Sequence, residues 1–301
     1  MRNSLPSRIK SPILLFSLIW LIAGNAGCQS REKTGRLEVY RLARSQMRRP
    51  MDYAVLKAPK EMVQDKTKVP VFVLLHGMGD DHTSLDKYGI ADYLHTAMVN
   101  GDIPPAHFVV PNGEKGFYLN WYDDSHPYEK LIMLDVIPSA LKVLGLRQDY
   151  PLHIIGVSMG GAGALRIGLN YPHRFVSISV FSALIFTEEE AQKMMKRPLV
   201  RLLMNTERIW GDGSDPEFAK TLDVYGLSAA LEPDLRPRIF ITSGTRENDA
   251  FTESAMKFTA HLSKMAVPYR YQSFEGKHGW KYWQKVLPDA LHFALWDTVR
   301  P

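Results

Sequence analysis

Residues 152–163 read LHIIGVSMGGAG. A β-branched, apolar run leads straight into Ser158, and four glycines crowd around that serine. A strand buried on both faces reads as a near-continuous apolar segment, whereas glycines weaken any regular element. The chain must therefore turn sharply at Ser158. Gly156-Val157-Ser158-Met159-Gly160 fits G-x-S-x-G, with a strand before it and a helix after it. In that turn the serine takes a strained backbone and its hydroxyl projects above the sheet. Gly156 and Gly160 remove side chains that would clash. The following helix directs its positive dipole end at the hydroxyl. Ser158 is thus the candidate nucleophile.

Working outward, strand-like and helix-like stretches alternate. LEVYRLA (37–43), MDYAVLKAP (51–59), VPVFVLLHG (69–77), HFVVPNG (107–113), FVSISVFSA (175–183), RIFITSGT (238–245) and PYRYQSF (268–274) read as further strands. Helical patterns fall at 84–101, 128–145, 159–171 and 251–265, and from about Trp280 onward. Pro138 predicts a kink or break in the second of these. This alternation predicts an α/β domain with a mostly parallel sheet covered on both faces. Residues 183–236 break the rhythm and are expected to form a helical insertion over one end of the sheet.

The 301 residues carry a net charge of +5. Residues 1–28 contribute Arg2, Arg8 and Lys10 and no acid, so the remainder holds 34 basic and 32 acidic residues. That balance gives no footing for nucleic acid. The three basic residues precede the apolar run ILLFSLIWLIA (13–23), too short for a comfortable membrane span and typical of an export signal. GNAGCQS follows, with Cys28 as the chain's single cysteine, so no disulfide can form within the chain. The stretch resembles a bacterial lipoprotein signal, in which the cysteine is lipidated and becomes the first mature residue. Ala26 and Gly27 fit that pattern and Asn25 departs from it; plain cleavage after Ala26 is the competing reading. The expectation is a signal peptide at 1–28, a polar linker at 29–36 and one catalytic domain at 37–301. The protein would be exported to the periplasm or beyond, touching membrane only through a lipid anchor at Cys28.

Ser158 needs a base. Among ten histidines, His278 stands out, because FEGKHGW places it in a short glycine-flanked loop after the last strand. The acid that orients a catalytic imidazole follows the preceding strand. Two residues compete there, Glu247 and Asp249, within Arg246-Glu247-Asn248-Asp249. Asp249 is the favoured choice, although it could equally cap the helix beginning at Ala250. Two backbone N–H groups should face the developing oxyanion, from Met159 and from Met78 in the loop after VPVFVLLHG. His76 is read as support for that loop. Asp80, Asp81 and His82 are adjacent on a turn and unsuited to converge on one metal ion, so no metal and no cofactor is expected. Trp121, Tyr122, Trp280 and Trp283 are either core residues or stacking surfaces for sugar rings.

The segments VPVFVLLHGMG, NWYDDS, GVSMGGAGAL, SGTREND and GKHGWKYW follow one another as in the esterase D-like group of α/β-hydrolases. The chain resembles that group over residues 36–298. The group includes feruloyl and acetylxylan esterases, S-formylglutathione hydrolases and mycolyltransferases. The resemblance implies an α/β-hydrolase fold, a Ser158–Asp249–His278 triad, and Met78 and Met159 as oxyanion donors. One departure is that the acid of many relatives follows the glycine-threonine pair more closely than Asp249 follows Gly244-Thr245, which keeps Glu247 open. The implied activity is an exported, cofactor-free serine ester hydrolase acting on an ester outside the cytoplasm, such as an acyl group on carbohydrate. An acyltransferase handing the acyl group to an envelope sugar would use the same residues, and a non-catalytic binding lipoprotein would keep the fold alone.

Overall fold

The computed structural model describes residues 28–195, 206–212 and 214–295. Nine strands form one sheet: β1 (Cys28–Thr34), β2 (Leu37–Leu42), β3 (Met51–Leu56), β4 (Val71–Leu75), β5 (His107–Pro111), β6 (Leu152–Val157), β7 (Phe175–Phe181), β8 (Arg238–Gly244) and β9 (Tyr269–Phe274). Their order is β1-β2-β3-β5-β4-β6-β7-β8-β9. β4 to β9 run parallel, and β1 to β3 form an antiparallel edge joined to β5. The linker expected at 29–36 is instead largely β1. Gly35, at φ 58°, closes a tight hairpin that pairs Thr34 with Leu37. A polar edge strand of this kind is held by backbone pairing, so its composition does not reveal it.

Alternation along the strands divides the core in two. Val71, Val73 and Leu75 of β4 face one apolar layer with Leu152 and Ile154 of β6, while Phe72, Leu74, Ile155 and Val157 face the other. Successive side chains of a strand point to opposite faces, and here both faces are covered. The first layer is completed by residues 131–141, α5 (Met159–Asn170) and α10 (Asp249–Lys264); the second by α2 (Ile90–Asn100) and α11 (Trp280–Ala294).

Two helices differ in detail from expectation. The pattern over 84–101 splits into α1 (Ser84–Lys87) and α2 at Gly89, whose φ of 70° no helix continues. The break expected at Pro138 takes the form of a π-helical stretch, Leu131–Val136, between α3 (Tyr128–Lys130) and α4 (Ile137–Leu144). Proline lacks an N–H and its ring crowds the carbonyl four residues earlier; the wider turn ahead of it relieves that crowding. Between β7 and β8 lie α6 (Glu188–Met195), α7 (Thr206–Trp210), α8 (Pro216–Leu222) and α9 (Val224–Ala229), with no strand among the described residues. Of the signal segment expected at 1–28, residues 1–27 lie outside the described residues.

Candidate active site

β6 delivers Ser158 to the carboxyl end of the parallel strands, where α5 begins. Ser158 has φ 56° and ψ −120°, a conformation that L residues avoid and that costs on the order of 1–3 kcal/mol. Its N–H still bonds to Phe181 O of β7 at 2.8 Å, and its own carbonyl accepts from Gly161 N at 2.9 Å. The glycine spacing now has a steric reason. A Cβ on Gly156 would sit 1.9 Å from Gly160 O, and one on Gly160 would sit 2.1 Å from Leu75 O. Both obstacles are backbone and cannot give way.

His278 Nε2 lies 2.9 Å from Ser158 Oγ. The ring is held between Phe251, stacked at 4.5 Å and 28°, and Trp283, edge-on at 5.1 Å and 81°. Its other nitrogen, Nδ1, faces Glu247 Oε2 at 3.5 Å, and the Glu247 side chain has no accessible surface. Ser182 Oγ donates to Glu247 Oε1 at 2.6 Å and accepts from Trp283 Nε1 at 2.9 Å. Serine, imidazole and carboxylate therefore stand in line, with the carboxylate fixed from behind and shielded from water.

Asp249 does not join them. It is exposed and opens α10, and Asn248 is the residue whose side chain caps that helix by accepting from Ala250 N. The choice of Asp249 is corrected to Glu247 for a geometric reason. A turn from Gly244 to Glu247, closed by Glu247 N donating to Gly244 O at 3.2 Å, folds the glutamate back toward the sheet. Two residues later the chain has already left for the surface. Ser182 and Trp283, which support the carboxylate, lie in no motif that marks them for that role. One signal was present: Ser182 immediately follows β7, so its hydroxyl emerges at the same end of the sheet as Ser158.

Met159 is the first residue of α5, where N–H groups have no intrahelical partner. Met78 occupies the turn Gly77–Asp80, closed by Asp80 N donating to Gly77 O at 3.2 Å, and that turn lies against the nucleophile. A Cβ on Gly77 would come within 3.6 Å of Ser158 Cβ. His76 braces the turn from beneath: its Nδ1 bonds to Gly77 O at 2.9 Å and its Nε2 accepts from Gly113 N at 3.0 Å. Burial lowers its pKa, which keeps the ring neutral and able to accept that bond. Asp80 is engaged with Lys87 and Tyr88, and Asp81 with Thr83. Trp280 and Trp283 are buried against the histidine loop, whereas Tyr122 is 41% exposed, on a different wall.

A nine-stranded, mostly parallel sheet with a serine on a strained strand–helix elbow, a histidine and a buried acid defines an α/β-hydrolase of the serine type. Residues 45–294 match the family model described as "Putative esterase". The chain belongs to that esterase family, whose members are serine hydrolases acting on ester bonds. It is 27% identical over 191 residues to an acetyl esterase of Caldicellulosiruptor saccharolyticus, covering 61% of this chain and 70% of that one. It is 21% identical over 203 residues to the diacylglycerol acyltransferase/mycolyltransferase Ag85B of Mycobacterium intracellulare, covering 58% of this chain and 60% of that one. Among solved structures, the fluorophosphonate-binding serine hydrolase FphF of Staphylococcus aureus superposes with a TM-score of 0.70 at 20% identity, over 87% of this chain and 99% of that one.

Proposed function

We propose that the protein is an exported serine esterase that removes an acyl group from carbohydrate, with Ser158, His278 and Glu247 as its triad. The observation that carries this reading is the line from Ser158 Oγ through His278 to the buried Glu247 carboxylate. Ser158 Oγ attacks the ester carbonyl carbon as its proton passes to His278 Nε2. The charge that develops on the carbonyl oxygen is met by the N–H groups of Met78 and Met159. The tetrahedral intermediate expels the alcohol, which takes the proton from His278. Water then gives a proton to His278, attacks the acyl-serine and releases the acid and the free hydroxyl. Glu247 selects the tautomer with the proton on Nδ1 and stabilises the imidazolium.

The similarity to an acetyl esterase favours a small acyl group. Export rests on the basic and apolar amino-terminal segment, and a lipid anchor on Cys28 within GNAGCQS. Acyl transfer is the second reading, favoured by the similarity to a mycolyltransferase; it needs only that a sugar hydroxyl replaces water in the last step. The test is a panel of acetylated, short-chain and feruloylated esters with and without free carbohydrate acceptor. Turnover should be greatest on acetyl esters and absent in Ser158→Ala. A Ser158→Ala protein that keeps wild-type turnover overturns the triad, and acylated acceptor as the main product replaces hydrolase with transferase. Anchoring is tested by membrane partition of the full chain: Cys28→Ala should release it, and a wild type that is already soluble removes the anchor.

A further inference from the structure

Arg166 lies eight residues beyond Ser158 along α5, about 12 Å away at about 1.5 Å per residue, and Asn170 about 18 Å away. There the loop 119–124 and helix α8 of the insertion enclose an open cleft of about 500 Å³ with the end of α5. Sites for small molecules span about 300–1,000 Å³. Neither Ser158 nor His278 lines this cleft, so it is separate from the site of chemistry.

Arg166 is 5% exposed. One of its terminal nitrogens bonds to Glu129 and the other to Tyr118 O, while Nε is buried with no hydrogen-bond partner among the described residues. With both terminal nitrogens bonded within the fold and Nε closed to the cleft, the guanidinium forms a rigid floor. Glu129, which also accepts from Tyr171 Oη at 2.9 Å, balances the guanidinium charge, so the floor is polar but neutral. The aromatic wall is equally defined. Tyr122 and Phe218 meet edge to face, with centroids 5.2 Å apart at 81°. The Tyr122 ring is backed by Gly211, where a Cβ would lie only 3.0 Å from it. Thr221 and Asn170 add a hydroxyl and an amide, and Asp124 and Asp215 give the lining further negative charge.

We propose that this cleft is an accessory site for a neutral saccharide, holding a sugar some units away from the one whose ester reaches Ser158. The proposal rests on the carbohydrate-ester reading above and names where the glycan binds. A sugar ring offers an apolar C–H face to Tyr122 and Phe218 and hydroxyl groups to the Asn170 amide, the Thr221 hydroxyl and the Asp124 and Asp215 carboxylates. An acyl chain would leave those polar groups without partners, and an acidic glycan would be repelled by Asp124 and Asp215.

The test is calorimetric titration of the full chain with unacylated xylohexaose, cellohexaose and maltohexaose, and with hexagalacturonate as the anionic comparison. Saturable binding of at least one neutral oligosaccharide is expected, with hexagalacturonate at least about tenfold weaker. Phe218→Ala and Tyr122→Ala, each checked by its melting curve, should weaken the neutral ligand by at least about tenfold. The proposal is overturned if no neutral oligosaccharide binds, if the anionic one binds as well, or if both folded variants bind like wild type. Hydrolysis of phenyl acetate by the same preparation is read separately. If that proceeds while no oligosaccharide binds, the cleft proposal alone falls; if it is absent, the esterase reading falls.

Discussion

The elbow at Ser158 and the loop at Glu247 supply two members of one triad, yet they are held in opposite ways. The elbow is determined by backbone: Gly156 packs on Gly160 O, four residues on, and Gly160 on Leu75 O at the end of the adjacent strand β4. The acid loop is determined by side chains from far along the chain. Glu247 is held by Ser182, 65 residues earlier, which is held in turn by Trp283, 101 residues after it. A motif of five residues marks the first arrangement, because only glycine fits against backbone at those two positions. No local motif marks the second, because the side chains that hold it come from the residue after β7 and from the helix after the histidine loop.

The sharpest way to break this comparison is to exchange the acids. Glu247→Gln should lower kcat by about 10⁴-fold, since a neutral amide neither stabilises the imidazolium nor fixes its tautomer. Asp249→Asn should lower it less than about tenfold, because an exposed carboxylate interacts weakly through screening solvent. Steady-state kinetics on an acetyl ester decides, and the reverse ranking would restore Asp249. Next in size, Gly160→Ala should destabilise the fold by at least about 2 kcal/mol, because the new methyl meets backbone that cannot relax. Chemical denaturation measures this; a neutral result would mean that the elbow is not held by backbone contact.

A pH-dependent effect concerns β6 itself. Burial depresses His153 to about 3, against about 6.5 for a free histidine. Between those values the unfolded chain takes up a proton that the folded chain refuses. Stability should therefore fall as pH drops below about 6.5, by about 1.4 kcal/mol per pH unit from this residue. His107, depressed to about 4, adds to the same slope until about that pH. Unfolding free energies of wild type and His153→Leu, measured from pH 7 to 4, should differ in slope by that amount; parallel lines would refute it. Smallest of all, Trp283→Phe removes one donor to Ser182 while Ser182 can still donate to Glu247. The loss should be about 1 kcal/mol, or about fivefold in kcat. A loss as large as that of Glu247→Gln would show that Trp283, rather than Ser182, carries the loop.

Eight of the nine strands were legible because each is an apolar or alternating run bounded by turn residues. β1 was not, since CQSREKT owes its place to a hairpin partner and has no pattern of its own. The nucleophile and the histidine could be read from their glycine-flanked settings. The acid could not, because Glu247 and Asp249 are chemically alike and two residues apart. The Gly244–Glu247 turn and the pocket behind it decide between them, and that pocket is made of residues no local window contains. Nor could periodicity reveal the widened turn over 131–136, although Pro138 marked where the regular helix had to yield.

The antiparallel edge of the sheet reverses direction three times between β5 and β1. Cys28, the first residue of β1, consequently lies at the same end of the sheet as Ser158, five strand spacings or about 24 Å to the side. Strand pairing begins at Cys28 itself, opposite Leu42, which leaves no slack tether between that residue and the body of the enzyme. Held by a lipid at that point, the enzyme would have the β1–β2 edge hairpin as its part nearest the bilayer.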